Sequence, residues 1–199
     1  MTRVKICGIT SVEDALFCSE AGADALGFIF AQSRRRISPE AAASIIRKLP
    51  PLITVVGVFL NQSQDEVKKT SAICGLDVIQ LHGDENPEFC AGLGRRVIKR
   101  IAVAEIDSSP ELLKKIKSYS GCTILLDPGC GDGRLFDWKK AENLEVPVII
   151  GGGLTPQNVG SAIRALKPYG VDVATGVEKS PGVKNPELVR SFIAEVRKW

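Results

Sequence analysis

The chain has one histidine, no cysteines in C-x-x-C spacing, no long uninterrupted apolar run and almost no imbalance of charge. Each shortage excludes something. The six cysteines (Cys7, Cys18, Cys74, Cys90, Cys122 and Cys130) are scattered and none stands close beside the single histidine, His82, so zinc-type ligand spacing is absent. Reduced thiols in a cytosolic protein are the simplest expectation. Lys and Arg number 26 against 23 Asp and Glu. Apart from Arg34-Arg35-Arg36 the basic residues are dispersed, so no broad cationic face for nucleic acid is expected, and an anionic partner would be a small molecule. The opening "MTRVKICGIT" carries charge inside its first apolar run, unlike a signal peptide. Nowhere do the roughly 18 apolar residues needed to span a membrane occur in a row. A soluble, unexported, cytoplasmic protein is expected, as a monomer or a homodimer.

What is present is regular. With 44% apolar and 25% charged residues, 199 residues suit one ordinary globular domain over 1–199. Short β-branched runs recur at even spacing: "RVKIC", "ALGFIF", "TVVGVFL", "DVIQLH", "RVIKRI", "CTILLD", "VPVIIG" and "VDVATGV". Between them lie amphipathic stretches such as "SPEAAASIIRKL" and "SPELLKKIKSY", several opening on a capping Ser, Thr, Asn or Asp followed by Pro or an acid. "FDWKKAENL" is the weakest of the expected helices. Strand followed by helix, in eight short units, predicts an α/β fold closed as a (β/α)8 barrel rather than an open sheet. In such a barrel the loops leaving the carboxyl ends of the strands carry the chemistry.

Two of those ends are rich in glycine. Gly151-Gly152-Gly153 close the seventh strand ahead of an expected helix start at Thr155-Pro156, an arrangement that bares backbone N–H groups for an anion. The eighth strand runs into Ala174-Thr175-Gly176. Adjacent turns after the last two strands suit a phosphate, although a tight structural turn would also use glycine.

Cys7 and Asp127 end the first and sixth strands, each ahead of a residue that breaks the strand. A thiolate and a carboxylic acid form a base and an acid once their environments bring both toward neutrality. A buried small hydrophobe for Cys7 and a turn role for Asp127 are the plainer alternatives. Alternation places Lys5 on the same face as Cys7, about 7 Å deeper. Its charge would favour the thiolate unless Asp172, on the neighbouring last strand, neutralises it. Gln80 and His82 face inward at the mouth of the fourth strand and are candidate substrate contacts. A metal site on His82, Asp84 and Glu85 is the weaker reading, because acids at such a turn more often cap or face water. One guanidinium of the triple arginine could clamp a carboxylate.

"VKICGIT", "DALGFIF", "ISPE", "VGVFLN", "VIQLHGDE", "FDW", "GGLTPQNV" and "GVDVATGVEKSPGVKN", in this order, resemble the phosphoribosylanthranilate isomerases of tryptophan synthesis along essentially the whole chain. The resemblance implies a (β/α)8 barrel and a cofactor-free Amadori rearrangement of N-(5'-phosphoribosyl)anthranilate to 1-(2-carboxyphenylamino)-1-deoxyribulose 5-phosphate. It implies Cys7 as base, Asp127 as acid, Arg35 on the anthranilate carboxylate and phosphate turns at Gly152-Gly153 and Thr175-Gly176. The loop "AQSRRRISPE" is one residue shorter than the family's usual form and lacks its proline, which leaves Arg34 and Arg36 as alternatives. "DPGCGDGRLFDW" puts Cys130, Asp132 and Arg134 where the family has Gly, Ser or Thr, and Lys. Two rivals stand beside this reading. A histidine-pathway isomerase performs the same rearrangement on another aminoaldose phosphate, but that family ends its first strand in Asp, not Cys. A barrel that binds a phosphorylated ligand without turning it over is the other.

Overall fold

The β-branched runs become strands: β1 (Arg3–Cys7), β2 (Ala25–Ile29), β3 (Thr54–Phe59), β4 (Val78–Leu81), β5 (Arg96–Ala102), β6 (Thr123–Asp127), β7 (Val148–Ile150) and β8 (Gly170–Val173). The computed structural model describes residues 1–128, 141, 144 and 146–199. Cys130, Asp132, Arg134 and most of the stretch expected as the weak helix after the sixth strand lie outside the described residues. All neighbouring strands pair in parallel and in chain order, and β8 returns to β1 to close the barrel, with Lys5 opposite Asp172.

Helices α1 (Val12–Glu20), α2 (Pro39–Ile46), α3 (Gln64–Cys74), α4 (Pro87–Ala91), α5 (Ser109–Ser118), α6 (Val159–Leu166) and α7 (Pro186–Val196) lie between and after the strands. Ser11, Ser38, Ser63, Asn86, Ser108 and Asn185 accept hydrogen bonds from backbone N–H groups in the first turns of their helices, satisfying donors the helix itself leaves open. Pro stands within the first two positions of α2, α4, α5 and α7, where its missing N–H costs nothing. Among the described residues no helix is long and apolar enough to cross a membrane.

Alternation along the strands divides the apolar side chains into two cores. Ile6, Leu26, Phe28, Phe59, Ile79, Leu81 and Leu126 point outward and are covered by the helices. Val56, Val78, Ile98, Leu125 and Ile149 fill the barrel interior. This packed plug is the floor on which the mouth stands.

Two boundaries differ from expectation at the rim. The run "VDVATGV" is strand only to Val173, and Thr175–Val177 form a 3-10 turn. The turn drives Gly176 against the Leu154 carbonyl, so close that a Cβ there would overlap it. The helix after β7 begins at Val159, not at Thr155-Pro156. The Asn158 side chain ties up the intervening turn, accepting from the Thr155 N–H at 2.8 Å and donating to the Gly153 carbonyl at 2.9 Å. The glycines therefore sit beside this side-chain-locked turn, separated from the helix N-terminus.

Candidate active site

A cavity of about 450 Å³ opens at the carboxyl ends of the strands. Cys7, Arg35, Gln80, His82, Asp127, Gly152, Gly153, Thr175 and Gly176 all line it. Strand order explains the gathering: the residues end β1, β4, β6, β7 and β8 or lie just beyond, apart from Arg35, which comes from the loop after β2.

Glycines make room for the larger groups. A Cβ on Gly27 would lie 2.7 Å from the Cys7 sulfur, so only glycine at that point of β2 lets the sulfur occupy the inner face. Gly8 has φ +79°, and a Cβ on it would meet Arg35 Cδ at 2.6 Å. Gly152 and Gly153 also adopt positive φ, +79° and +63°, a region that side-chain-bearing residues enter only with strain. The Asp127 carboxylate lies beside the first glycine of that corner, with Oδ2 3.5 Å from where a Gly151 Cβ would be.

The arginines separate. Arg35 is half-buried, whereas Arg34 reaches the cavity wall but is exposed and Arg36 is exposed outside it. The Arg35 guanidinium grips Glu178 through Nε, at 2.8 and 3.1 Å, and through Nη2, at 2.6 Å. Nη2 also donates to the Thr175 hydroxyl at 3.1 Å. The Glu178 hydrogen bonds outweigh the effect of partial burial and hold the Arg35 guanidinium above its ordinary value.

Lys5 does not act as a free cation beneath Cys7. Its ammonium, 5% exposed, pairs with Asp172 at 2.8 Å. Burial pushes the Cys7 thiol above its ordinary value despite the opposing pull of Lys5, while Asp172 pushes the same way as burial. Activation by Lys5, which strand alternation left open to neutralisation by Asp172, is thus weakened by the pairing across the β8–β1 seam and does not overcome burial.

The acids after β4 part company. Glu85 turns inward, accepting from Lys99 Nζ and the N–H groups of Asn61 and Gly83. Asp84 instead exchanges hydrogen bonds with Asn61. His82 lies against Gln80, with Gln80 Nε2 3.4 Å from His82 Nδ1. A neutral ring receiving the amide at Nδ1 keeps its proton on Nε2 and offers a donor. Burial, then the Arg100 guanidinium, pushes the imidazole down to about 4.

A stability prediction follows from that shift. The unfolded chain binds the His82 proton near 6.5 and the folded chain near 4, so the stabilisation from the neutral ring is complete above pH 6.5 and is lost as pH falls toward 4, by up to about 1.4 kcal/mol per unit. Urea midpoints of the wild-type protein should fall more steeply across this window than those of His82→Gln. Parallel profiles would contradict it.

Arg100, Glu178 and Lys184 were not anticipated from the sequence. Arg100 follows Ile98 by two residues on β5 and so shares the inner face, with Nε 3.9 Å from Asp127 Oδ1. A charged residue at an inward position of "RVIKRI" was the available signal. For Glu178 and Lys184 the signal was weaker, since nothing local marks "VEKSPGVK" as folding back over the first strand.

A closed (β/α)8 barrel whose mouth joins a thiol, a carboxyl, a guanidinium and two glycine turns defines a class: barrel proteins equipped to handle a small anionic compound at the carboxyl rim. The chain matches the family model for N-(5'phosphoribosyl)anthranilate (PRA) isomerase over residues 4–195. It belongs to that family. It is 50% identical over 205 residues to the N-(5'-phosphoribosyl)anthranilate isomerase of Geotalea uraniireducens (strain Rf4), covering 99% of each chain. The phosphoribosyl anthranilate isomerase from Thermotoga maritima superposes with a TM-score of 0.92 at 39% identity, with complete coverage of both chains. A phosphoribosyl anthranilate isomerase in complex with reduced 1-(o-carboxyphenylamino)-1-deoxyribulose 5-phosphate gives 0.88 at 38% identity, again over both complete chains.

Proposed function

We propose that this chain converts N-(5'-phosphoribosyl)anthranilate to 1-(2-carboxyphenylamino)-1-deoxyribulose 5-phosphate, with Asp127 as general acid and Cys7 as general base. Family membership supports the reaction. The observation that carries the residue roles is the opening of a thiol on β1 and a carboxyl on β6 into one cavity that also holds both glycine turns.

The substrate phosphate would accept hydrogen bonds at Gly152-Gly153 and Thr175-Gly176. There backbone N–H groups and one hydroxyl offer donors without side-chain bulk. Arg35 would meet the anthranilate carboxylate, fixing the other end of the molecule. With both ends held, Asp127 delivers a proton to the furanose ring oxygen, the C1–O bond breaks and the sugar opens as a Schiff base. Cys7 then takes the proton from C2, and the resulting enolamine settles as the ketone. No electrons are gained or lost overall. Gln80 and the Nε2–H of His82 would serve the sugar hydroxyls.

Purified protein supplied with freshly generated phosphoribosylanthranilate should consume it in catalytic amounts, with inorganic phosphate competing for the same site. Binding of the substrate without turnover would overturn the catalytic reading. Separately, we propose a cytoplasmic location, one domain over residues 1–199 and a monomeric or homodimeric state.

A further inference from the structure

After β8 the chain passes through the turn at Thr175–Val177 into a small antiparallel hairpin, β9 (Glu178–Ser180) and β10 (Val183–Lys184). The hairpin leans on the segment following β1. Thr10 donates its hydroxyl hydrogen to the Gly182 carbonyl, and the Lys184 N–H donates to Asp14 Oδ2 at 2.9 Å. Two of its charges are buried: the Lys184 side chain is 0% exposed and that of Glu178 is 3% exposed.

The Lys184 ammonium donates to the backbone carbonyl of Cys7 and to Glu178 Oε1, the latter at 2.9 Å. Glu178 is also the acceptor for the Arg35 fork. One carboxylate thus serves two cations and leaves one positive charge in excess. The Lys5–Asp172 pair on the other side balances to zero. Among the described residues, the charged groups facing Cys7 are Lys5 on its own strand, Asp172 on β8, Arg35 from the loop after β2, and Lys184 on β10, with Glu178 of β9 shared between the last two.

We propose that Lys184 is the positioning residue for Cys7: its ammonium fixes the end of β1 through the Cys7 carbonyl and supplies the excess positive charge that favours a thiolate there. The inference rests on the reading of Cys7 as the base. Burial is the largest influence and raises the thiol, Lys5 opposes it, Asp172 reinforces it, and Lys184 draws it down. Lys5 is tied to Asp172, which pushes the thiol the other way, whereas Lys184 adds its pull from the ammonium that also holds the Cys7 carbonyl.

The test uses two variants of opposite sign. Lys184→Met leaves Arg35 and Glu178 balanced, so the pH midpoint of Cys7 alkylation by iodoacetamide, read at Cys7 by peptide mass spectrometry, should rise by about one unit. Glu178→Gln leaves both cations without their carboxylate, and the midpoint should fall by about one unit. Lys184→Arg should stay near the wild type. Opposite shifts support the proposal; shifts in one direction, or none, overturn it. If Lys184→Met does not fold, the Glu178→Gln result decides alone, a fall supporting and anything else overturning. Alkylation needs no turnover, so activity surviving in Cys7→Ala would remove the base assignment without touching the charge measurement.

Discussion

Cys7→Ala is expected to lower kcat by about a hundredfold to ten-thousandfold while KM stays within a few-fold of wild type. The reason is the division of labour around the cavity. Substrate anions are assigned to the glycine turns and to Arg35, whose hydrogen bonds run to Glu178 and Thr175 and not to the sulfur, so removing it takes away a proton acceptor and no binding group. The thiol is 6% exposed and packs against Gly27, so alanine leaves a small gap in place of a clash. Asp127→Asn should lower kcat over the same range, because the amide nearly preserves the carboxyl's shape but cannot deliver the acid proton. Steady-state kinetics on both variants, with thermal unfolding to confirm the fold, checks the pair. Turnover above a tenth of wild type in either would remove that residue from the chemistry. A raised KM with unchanged kcat would mark it as a binding group.

Glu85→Ala should destabilise the protein by about 3–5 kcal/mol, a large part of the 5–15 kcal/mol typical of a domain. Glu85 is 2% exposed at its side chain and Lys99 3%, and their charges lie 2.8 Å apart. Removing the carboxylate strands a buried ammonium, with the Gly83 carbonyl and the ring of Tyr119 as its remaining partners among the described residues. It also frees the Asn61 and Gly83 N–H groups that hold the loops after β3 and β4 together. Because the stranded charge is the larger cost, the double variant Glu85→Ala/Lys99→Met should recover part of the loss. Urea unfolding of the two decides: a double variant no more stable than Glu85→Ala would contradict this account. These loops carry His82, so a weakened pair should also blunt its pH-dependent stability.

How much of this was legible in the chain depended on the range of the interaction. The Cys7-Gly8 and Gly151-Gly152-Gly153 corners could be read directly, since the chain leaves a barrel strand at the mouth and alternation tells which of its last residues faces inward. The arginine contacting the cavity could be narrowed only to three neighbours, because rotation around one loop decides among them. The structure turns Arg35 inward because Glu178, 143 residues later, provides its partner. Lys5 shows the converse: alternation placed its side chain correctly, yet its electrostatic effect on Cys7 depended on a carboxylate 167 residues away.

The helix start expected at Thr155-Pro156 moved to Val159 for a local reason with a tertiary consequence. Thr and Pro are sound opening residues, but Asn158 bonds back to Gly153 and Thr155 and claims the turn for the rim. Lys184 was the least legible of the site's charges. Its significance appears only when β10 folds over the end of β1 and lays the ammonium on the Cys7 carbonyl.

The order of residues by itself determined the eight repeating units, the side each strand presents inward and the groups gathered at the carboxyl rim, because these follow from short periodicities and from which residues tolerate a turn. Only the closed tertiary structure decided which charges cancel, which arginine enters and where the surplus cation stands. Those outcomes are set by Coulomb pairing between groups distant along the chain, among side chains buried enough that solvent screens them little.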